Sequence, residues 1–397
     1  MTPGRSPLRI VVAPDKFKGS LTAVQAAESM ADGVLRAEPA AVVLSLPVAD
    51  GGEGTVAAAV AAGFSRREVT VRGPTGDDVS ASFAVRDTTA VIEMAEASGL
   101  GRLPGEVPAP RTASTYGTGQ LVLAALDAGA RDIVVGIGGS ATTDGGAGMA
   151  QALGARLVDS AGTELSAGGA ALRDLDRIDV AGFDERVADT RFTVASDVDN
   201  PLVGTNGAAA VYGPQKGASA DDIDVLDAAL TRYAEVVGRD LGVEVAQLAG
   251  AGAAGGLGAG AIAFLGAEIT SGIELLLDVV GFGEALRDAD LVLTGEGSLD
   301  EQSLSGKAPI GVARAASPSG VPVFALCGQV TVTAAQLSGV GIDRAWSLLD
   351  LEPDVERAQQ EAAMLLTQLA ERAVRAFAAP SEDANEPARA EGTTRTP

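Results

Sequence analysis

From its first apolar run the chain alternates strand with helix. Leu8 to Pro14 is a short apolar stretch, a polar loop follows, and the spacing predicts a helix over 22–37. Ala41 to Val48 reads as a second strand, followed by Asp50-Gly51-Gly52-Glu53-Gly54 and a helix through Ala62. Two such units open a parallel, doubly wound sheet, whose ligands sit at the carboxyl ends of the strands. The pattern then changes: Arg66–Arg72, Val79–Val85 and Thr89–Met94 are short strands split by turn residues, which reads as an antiparallel meander. After Asp290 the alternation returns, with a strand at Leu291–Thr294, a helix from Lys307 to Ala316, a strand at Val321–Leu326 and a long amphipathic helix over 355–377. At 397 residues, two domains are expected. The reading is therefore α/β: a Rossmann-like doubly wound domain at 1–72 plus 286–379, a second α/β domain inserted at 73–285, and a cleft between them. Residues 380–397, rich in Pro, Glu, Ala and Thr, are expected to be disordered.

What is missing narrows the chemistry. With no histidine, Ser-His-Asp hydrolysis, His-ligated metals and the usual neutral-pH proton shuttle are excluded, so a general base must be a carboxylate, Lys, Tyr or Cys. The single cysteine, Cys327, rules out an internal disulfide and fits a reducing cytoplasm. A net charge of −24 makes nucleic acid and membrane surfaces poor partners. The uncharged run Leu248–Ala267 has the length of a membrane span, but its seven glycines make it a poor one. No secretory leader is evident, which also favours a cytoplasmic protein.

Only four of the 29 basic residues are lysines, and Lys16, Lys18, Lys216 and Lys307 all lie in polar, glycine-containing segments. A compact ammonium suits phosphoryl oxygens as a point charge. Ile133 to Gly148 is a strand, a small-residue loop and a helix start, where glycines let amides approach an anion. Its Gly136-Ile137-Gly138-Gly139-Ser140-Ala141 matches the loose dinucleotide pattern but lacks the acid that should end the next strand. Thr294 to Lys307 ends in Gly-Lys, yet Glu301 and Ala308 break the P-loop pattern; Glu296, Asp300 and Lys307 still suit Mg²⁺ and phosphate contacts. Asp197 and Asp199 follow a strand, and either could serve as general base or magnesium ligand, or simply shape a turn before Pro201.

Six segments in order, Ala13–Leu21, Pro47–Thr55, Gly138–Gly148, Ser196–Leu202, Tyr212–Gly217 and Leu293–Lys307, resemble the bacterial type-1 glycerate kinase family. The resemblance runs from about residue 8 to residue 377. It implies ATP-dependent phosphorylation of D-glycerate, at the 2-hydroxyl in preference to the 3-hydroxyl, with Mg²⁺ as cofactor, by a monomer or homodimer. On it, Asp197 would take the hydroxyl proton, while Lys16 and Lys18 would neutralise the transferring phosphoryl group. Ser140, Asp144, Gly138, Gly139 and Lys216 would hold glycerate. Gly295, Glu296, Gly297, Ser298 and Lys307 would hold the nucleotide, and Asp50, Glu53 and Asp300, with Glu296, form the pool of metal ligands. Two competing readings are an NAD(P) dehydrogenase using the Gly136 loop and a two-lobed organic-acid binding protein.

Overall fold

The computed structural model describes residues 6–301, 303–305 and 307–379. The tail expected to be disordered, 380–397, lies outside the described residues. Strands β1 (Arg9–Pro14), β2 (Val42–Ser45), β3 (Ser65–Arg72), β4 (Asp78–Arg86), β5 (Thr89–Glu93) and β6 (Asp132–Gly136) come first. Two short strands, β7 (Arg156–Val158) and β8 (Arg177–Asp179), pair with each other. They are followed by β9 (Arg191–Ala195), β10 (Glu268–Thr270) and β11 (Leu291–Gly295). The chain ends its strands with β12 (Ser298–Leu299), β13 (Val323–Cys327), β14 (Gln329–Val330) and β15 (Arg344–Ser347).

One sheet runs β15-β13-β11-β1-β2 with every neighbour parallel. Alternate side chains feed two cores. Ile10 and Val12 of β1, Leu291 and Leu293 of β11 and Phe324 and Leu326 of β13 pack on helices Ala23–Ala37 and Ala362–Ala378. Val11 and Ala13, Val292, and Val323 and Ala325 pack on helices Gly272–Val279 and Ala308–Ala316. Burial on both faces is why these strands read as continuous apolar runs. The chain goes from β1 to β2 on one side and then to β11, β13 and β15 on the other, the order of flavodoxin-like doubly wound sheets. The direction of winding reverses between β1 and β11, so a crevice opens there at their carboxyl ends.

The second sheet is mixed, in the order β10-β9-β6-β5-β4-β3, with the meander β3-β4-β5 antiparallel and the rest parallel. Since β3 pairs along its whole length with β4, residues 65–72 belong to this sheet and not to the first lobe where the sequence reading put them. Likewise Ile273, Leu276, Leu277, Val280 and Phe282 fill the first lobe's core, so the chain returns near residue 271 instead of 286. The uncharged run near 250 becomes the helix Ala253–Leu265, packed between two cores of the inserted lobe. No helix of the described residues is long and apolar enough to cross a membrane.

Two other elements depart from expectation. β2 stops at Ser45, before Pro47, although Leu46 N and Val48 N still donate to Val12 O and Pro14 O at 2.8 and 2.9 Å. This extended tail carries Asp50 to the sheet's edge. The long terminal helix is broken at Glu361 (φ −100°, ψ 13°), which lets Val355–Gln360 lie over the turn Leu348–Asp350 while Ala362–Ala378 runs along Ala23–Ala37.

Candidate functional site

Four loops leave the carboxyl ends of β2, β1, β11 and β13, and neighbours are stitched to each other. Asp15 N donates to Gly295 O at 2.8 Å, and Gly328 N and Gln329 N donate to Glu296 O and Gly297 O, both at 3.0 Å. In the loop after β1, Phe17 is buried and accepts from Ser20 N and Oγ, which fixes a tight turn. Its neighbours Lys16 and Lys18 line the same cavity as Phe17. Lys16 Nζ donates to Glu53 O at 2.9 Å, tying this loop to the one after β2.

These loops wall a cavity of about 600 Å³. Lys16, Lys18, Asp50, Glu53, Glu296, Gly297, Ser298 and Lys307 all line it. Gly295 does not: it is the last residue of β11, and a Cβ there would lie 1.9 Å from Leu326 O, so its glycine serves strand packing. Asp300 also stays off the wall, accepting from Ser303 N at 3.0 Å and lying 3.8 Å from Lys307 Nζ. Among the described residues no three acidic side chains gather as a metal cluster, so the expected set Asp50, Glu53 and Asp300 is not brought together.

Asp15, which sequence reasoning passed over, joins this wall. Burial, aided by Asp50 and Glu296 and opposed by Lys16, lifts its pKa to about 7. Its place between the apolar strand end and Lys16 was a usable signal. Glu296 is 7 % exposed, its Oε1 has no hydrogen-bond partner, and burial raises its proton affinity as well.

A second cavity of about 340 Å³ lies between the lobes. The first lobe contributes Asp50, Gly51 and Gly52; the inserted lobe contributes Gly138, Gly139, Ser140, Asp197, Tyr212, Gln215, Lys216 and Ala254. The backbones of the two lobes approach so closely that a Cβ on Gly51, which takes φ +84°, would sit 2.8 Å from Ala195 O; within the first lobe a Cβ on Gly272 would sit 2.1 Å from Asp50 O. Asp197 spans this seam, Oδ1 accepting from Gly272 N at 2.9 Å. Burial raises its pKa, with Asp50 and Glu274 adding and the Gly272 amide and Ser271 hydroxyl opposing.

Lys216 is 2 % exposed; its Nζ donates to Ser140 Oγ at 3.3 Å and to Thr142 O. Burial drags its pKa down to about 7 against the pull of Asp144. Ser140 Oγ also reaches Ala254 O at 3.2 Å, and Ala254 holds φ 53°, a strained value for a side-chain-bearing residue that no local sequence pattern signals. Asp144 is not on the wall, contrary to expectation. It is 1 % exposed and accepts from Thr115 N and Oγ1, Gly146 N and Gly148 N, so it organises the loop from behind.

One acid was missed entirely. Glu93, at the end of β5, uses a single oxygen, Oε2, to accept from Gly54 N and Val56 N at 3.1 and 3.4 Å, pinning the loop that carries Asp50 and Glu53. Burial raises its pKa to about 7. Together the site offers cations for phosphoryl oxygens in one cavity, a carboxylate and a buried lysine in the other, and Asp50 on both.

The profile of the glycerate kinase family matches residues 10–378. A glycerate kinase of Halalkalibacterium halodurans is 50% identical over 364 residues, 91% of this chain and 96% of the relative. A glycerate 2-kinase of Escherichia coli (strain K12) is 48% identical over 345 residues, 86% of this chain and 91% of the relative. The crystal structure of a protein described as glycerate kinase 2, from Salmonella typhimurium LT2, superposes with a TM-score of 0.83 at 44% identity, covering 94% of this chain and 98% of that one. With a family match along nearly its whole length and the same two-lobed α/β fold, the chain belongs to the glycerate kinase family.

Proposed function

We propose that the protein transfers the γ-phosphoryl group of ATP to the 2-hydroxyl of D-glycerate, giving 2-phosphoglycerate and ADP. The observation that carries this reading is the pair of cavities meeting at Asp50. The larger takes the nucleotide, with Lys16, Lys18 and Lys307 set against phosphoryl oxygens, since positioning and charge stabilisation supply most of such catalysis. The smaller takes glycerate between Ser140 and Lys216 on one side and Asp197 on the other. Asp197 keeps one oxygen fixed by Gly272 N and accepts the hydroxyl proton through the other; its raised proton affinity suits that task.

Mg²⁺ belongs to the same proposal. The donors suit a hard cation: Glu296 has a buried oxygen without a partner, and Asp50 adds to the repulsion felt by both Asp15 and Glu296, which Lys16 and Lys307 only partly offset. Asp50 and Glu296 would hold it alongside phosphate oxygens, where it neutralises charge on the phosphates. Transfer to the 2-hydroxyl is supported by the kinship to the Escherichia coli relative described as a glycerate 2-kinase. The test is a proton-coupled phosphorus NMR spectrum of the product formed from D-glycerate and ATP. A phosphorus doublet, from one neighbouring C–H, is expected. A triplet marks a phosphate on the CH₂ carbon and overturns the 2-hydroxyl assignment; no phosphate-ester signal beyond those of the nucleotides overturns the whole reading.

A further inference from the structure

Among the described residues Lys216 is the only cationic side chain lining the smaller cavity, whose other charged residues are Asp50 and Asp197. A carboxylate entering there meets two like charges and one opposite charge. The ammonium is not held by an ion pair: its partners are a hydroxyl, Ser140 Oγ, and a carbonyl, Thr142 O. Asp144 acts on it through space but spends its oxygens on Thr115, Gly146 and Gly148. From the element behind, Tyr233 is buried beside Asp144 with its own pKa raised, and Tyr212, on the cavity wall, donates its hydroxyl to Asn200 Oδ1 at 2.6 Å. Among the described residues no neighbour thus supplies a contact counter-charge, and a desolvated ammonium without one is costly.

Building on the reading of this cavity as the glycerate site, we infer that Lys216 receives the substrate carboxylate and that substrate binding loads it with a proton. The empty site holds the amine near the point where it gives up its proton, at about pH 7. The substrate supplies the missing counter-charge and raises the amine's proton affinity. The sign follows. Below about pH 7 the ammonium is already present and binding takes up no proton. Above it, binding draws a proton from solvent, and affinity for D-glycerate falls by up to about tenfold per pH unit until the pKa of the bound state is reached. Asp197, whose proton affinity burial already raises, gains more beside an anion, and Asp197→Asn separates its contribution from that of Lys216.

The experiment titrates D-glycerate calorimetrically into the full chain with ADP and Mg²⁺ present, in two buffers of different ionisation enthalpy, at pH 6 and pH 8. A fraction of a proton approaching one is expected to be taken up at pH 8, with much less from Lys216 at pH 6. The KM for D-glycerate should rise severalfold from pH 7 to pH 8 with kcat changing less. Asp197→Asn should keep the uptake at pH 8, whereas Lys216→Met should abolish it and weaken binding. Should Lys216→Met fail to fold, the wild-type heats and Asp197→Asn still decide. Equal heats in both buffers at pH 8 in a chain that phosphorylates D-glycerate overturn this inference alone, as does uptake lost in Asp197→Asn. A chain that neither binds nor phosphorylates D-glycerate overturns the functional reading and this inference with it.

Discussion

Asp197 shows how far single residues could be read. It follows β9 as its motif placed it, and the histidine-free composition left a carboxylate as a natural base. Asp197→Asn is expected to lower turnover by roughly 10²–10⁴ while the Mg²⁺ dependence stays near wild type. Steady-state rates across a Mg²⁺ series check this; an unchanged maximal rate would show that Asp197 is not the base. Asp144 shows the limit. An acid in a glycine loop reads as exposed and ligand-facing, but its side chain turned inward because four donors, Gly146 N and Gly148 N beside it and Thr115 N and Oγ1 from outside the loop, need an acceptor. The direction a loop side chain takes depends on partners far away in sequence, as with Thr115. Asp15 escaped notice for the same reason, since Asp50 and Glu296 approach it only once three strands lie side by side.

At the level of elements, β1, β11 and β13 were legible because burial on both faces writes them as unbroken apolar runs, whereas β15, a half-buried edge strand without such a run, was not read. The break at Glu361 was not, because the amphipathic pattern runs on through it while the packing partner changes. Glu93 works at this scale, joining β5 to the loop before Thr55–Ala61. Since one oxygen accepts both amides, Glu93→Gln can keep the two bonds and lose the charge. A buried carboxyl whose pKa is raised to about 7 favours folding most in acid, and that contribution is lost as pH rises through about 7. Thermal unfolding of Glu93→Gln should therefore fall less between pH 5 and pH 8 than that of wild type; an identical slope would remove Glu93 as its source. Glu93→Ala leaves two amides without an acceptor and should cost about 1–3 kcal/mol, measured by denaturant unfolding.

For the whole molecule, the interrupted strand–helix alternation was enough to foretell one lobe inserted into another, while the crossing points were misplaced, the first by the length of β3 and the second by most of the stretch from 271 to 286. Edge strand β3 carries no mark of which sheet it joins, and the helix Gly272–Val279 has an apolar face that would suit either core. What the insertion brings about is the meeting of two cavities at one carboxylate, Asp50. Two ligands that share a charged wall cannot bind independently. Whatever engages Asp50 from the nucleotide side removes repulsion that an acid feels from the other, so each ligand should tighten the other's binding by the same factor, on the order of tenfold. Equilibrium titrations of each ligand with and without the other measure that factor from both directions, and Asp50→Asn should bring it close to one. Synergy of this kind makes the half-filled states scarce, so a nucleotide bound without an acceptor, the state from which its phosphate could be lost to water, is the one the shared wall disfavours.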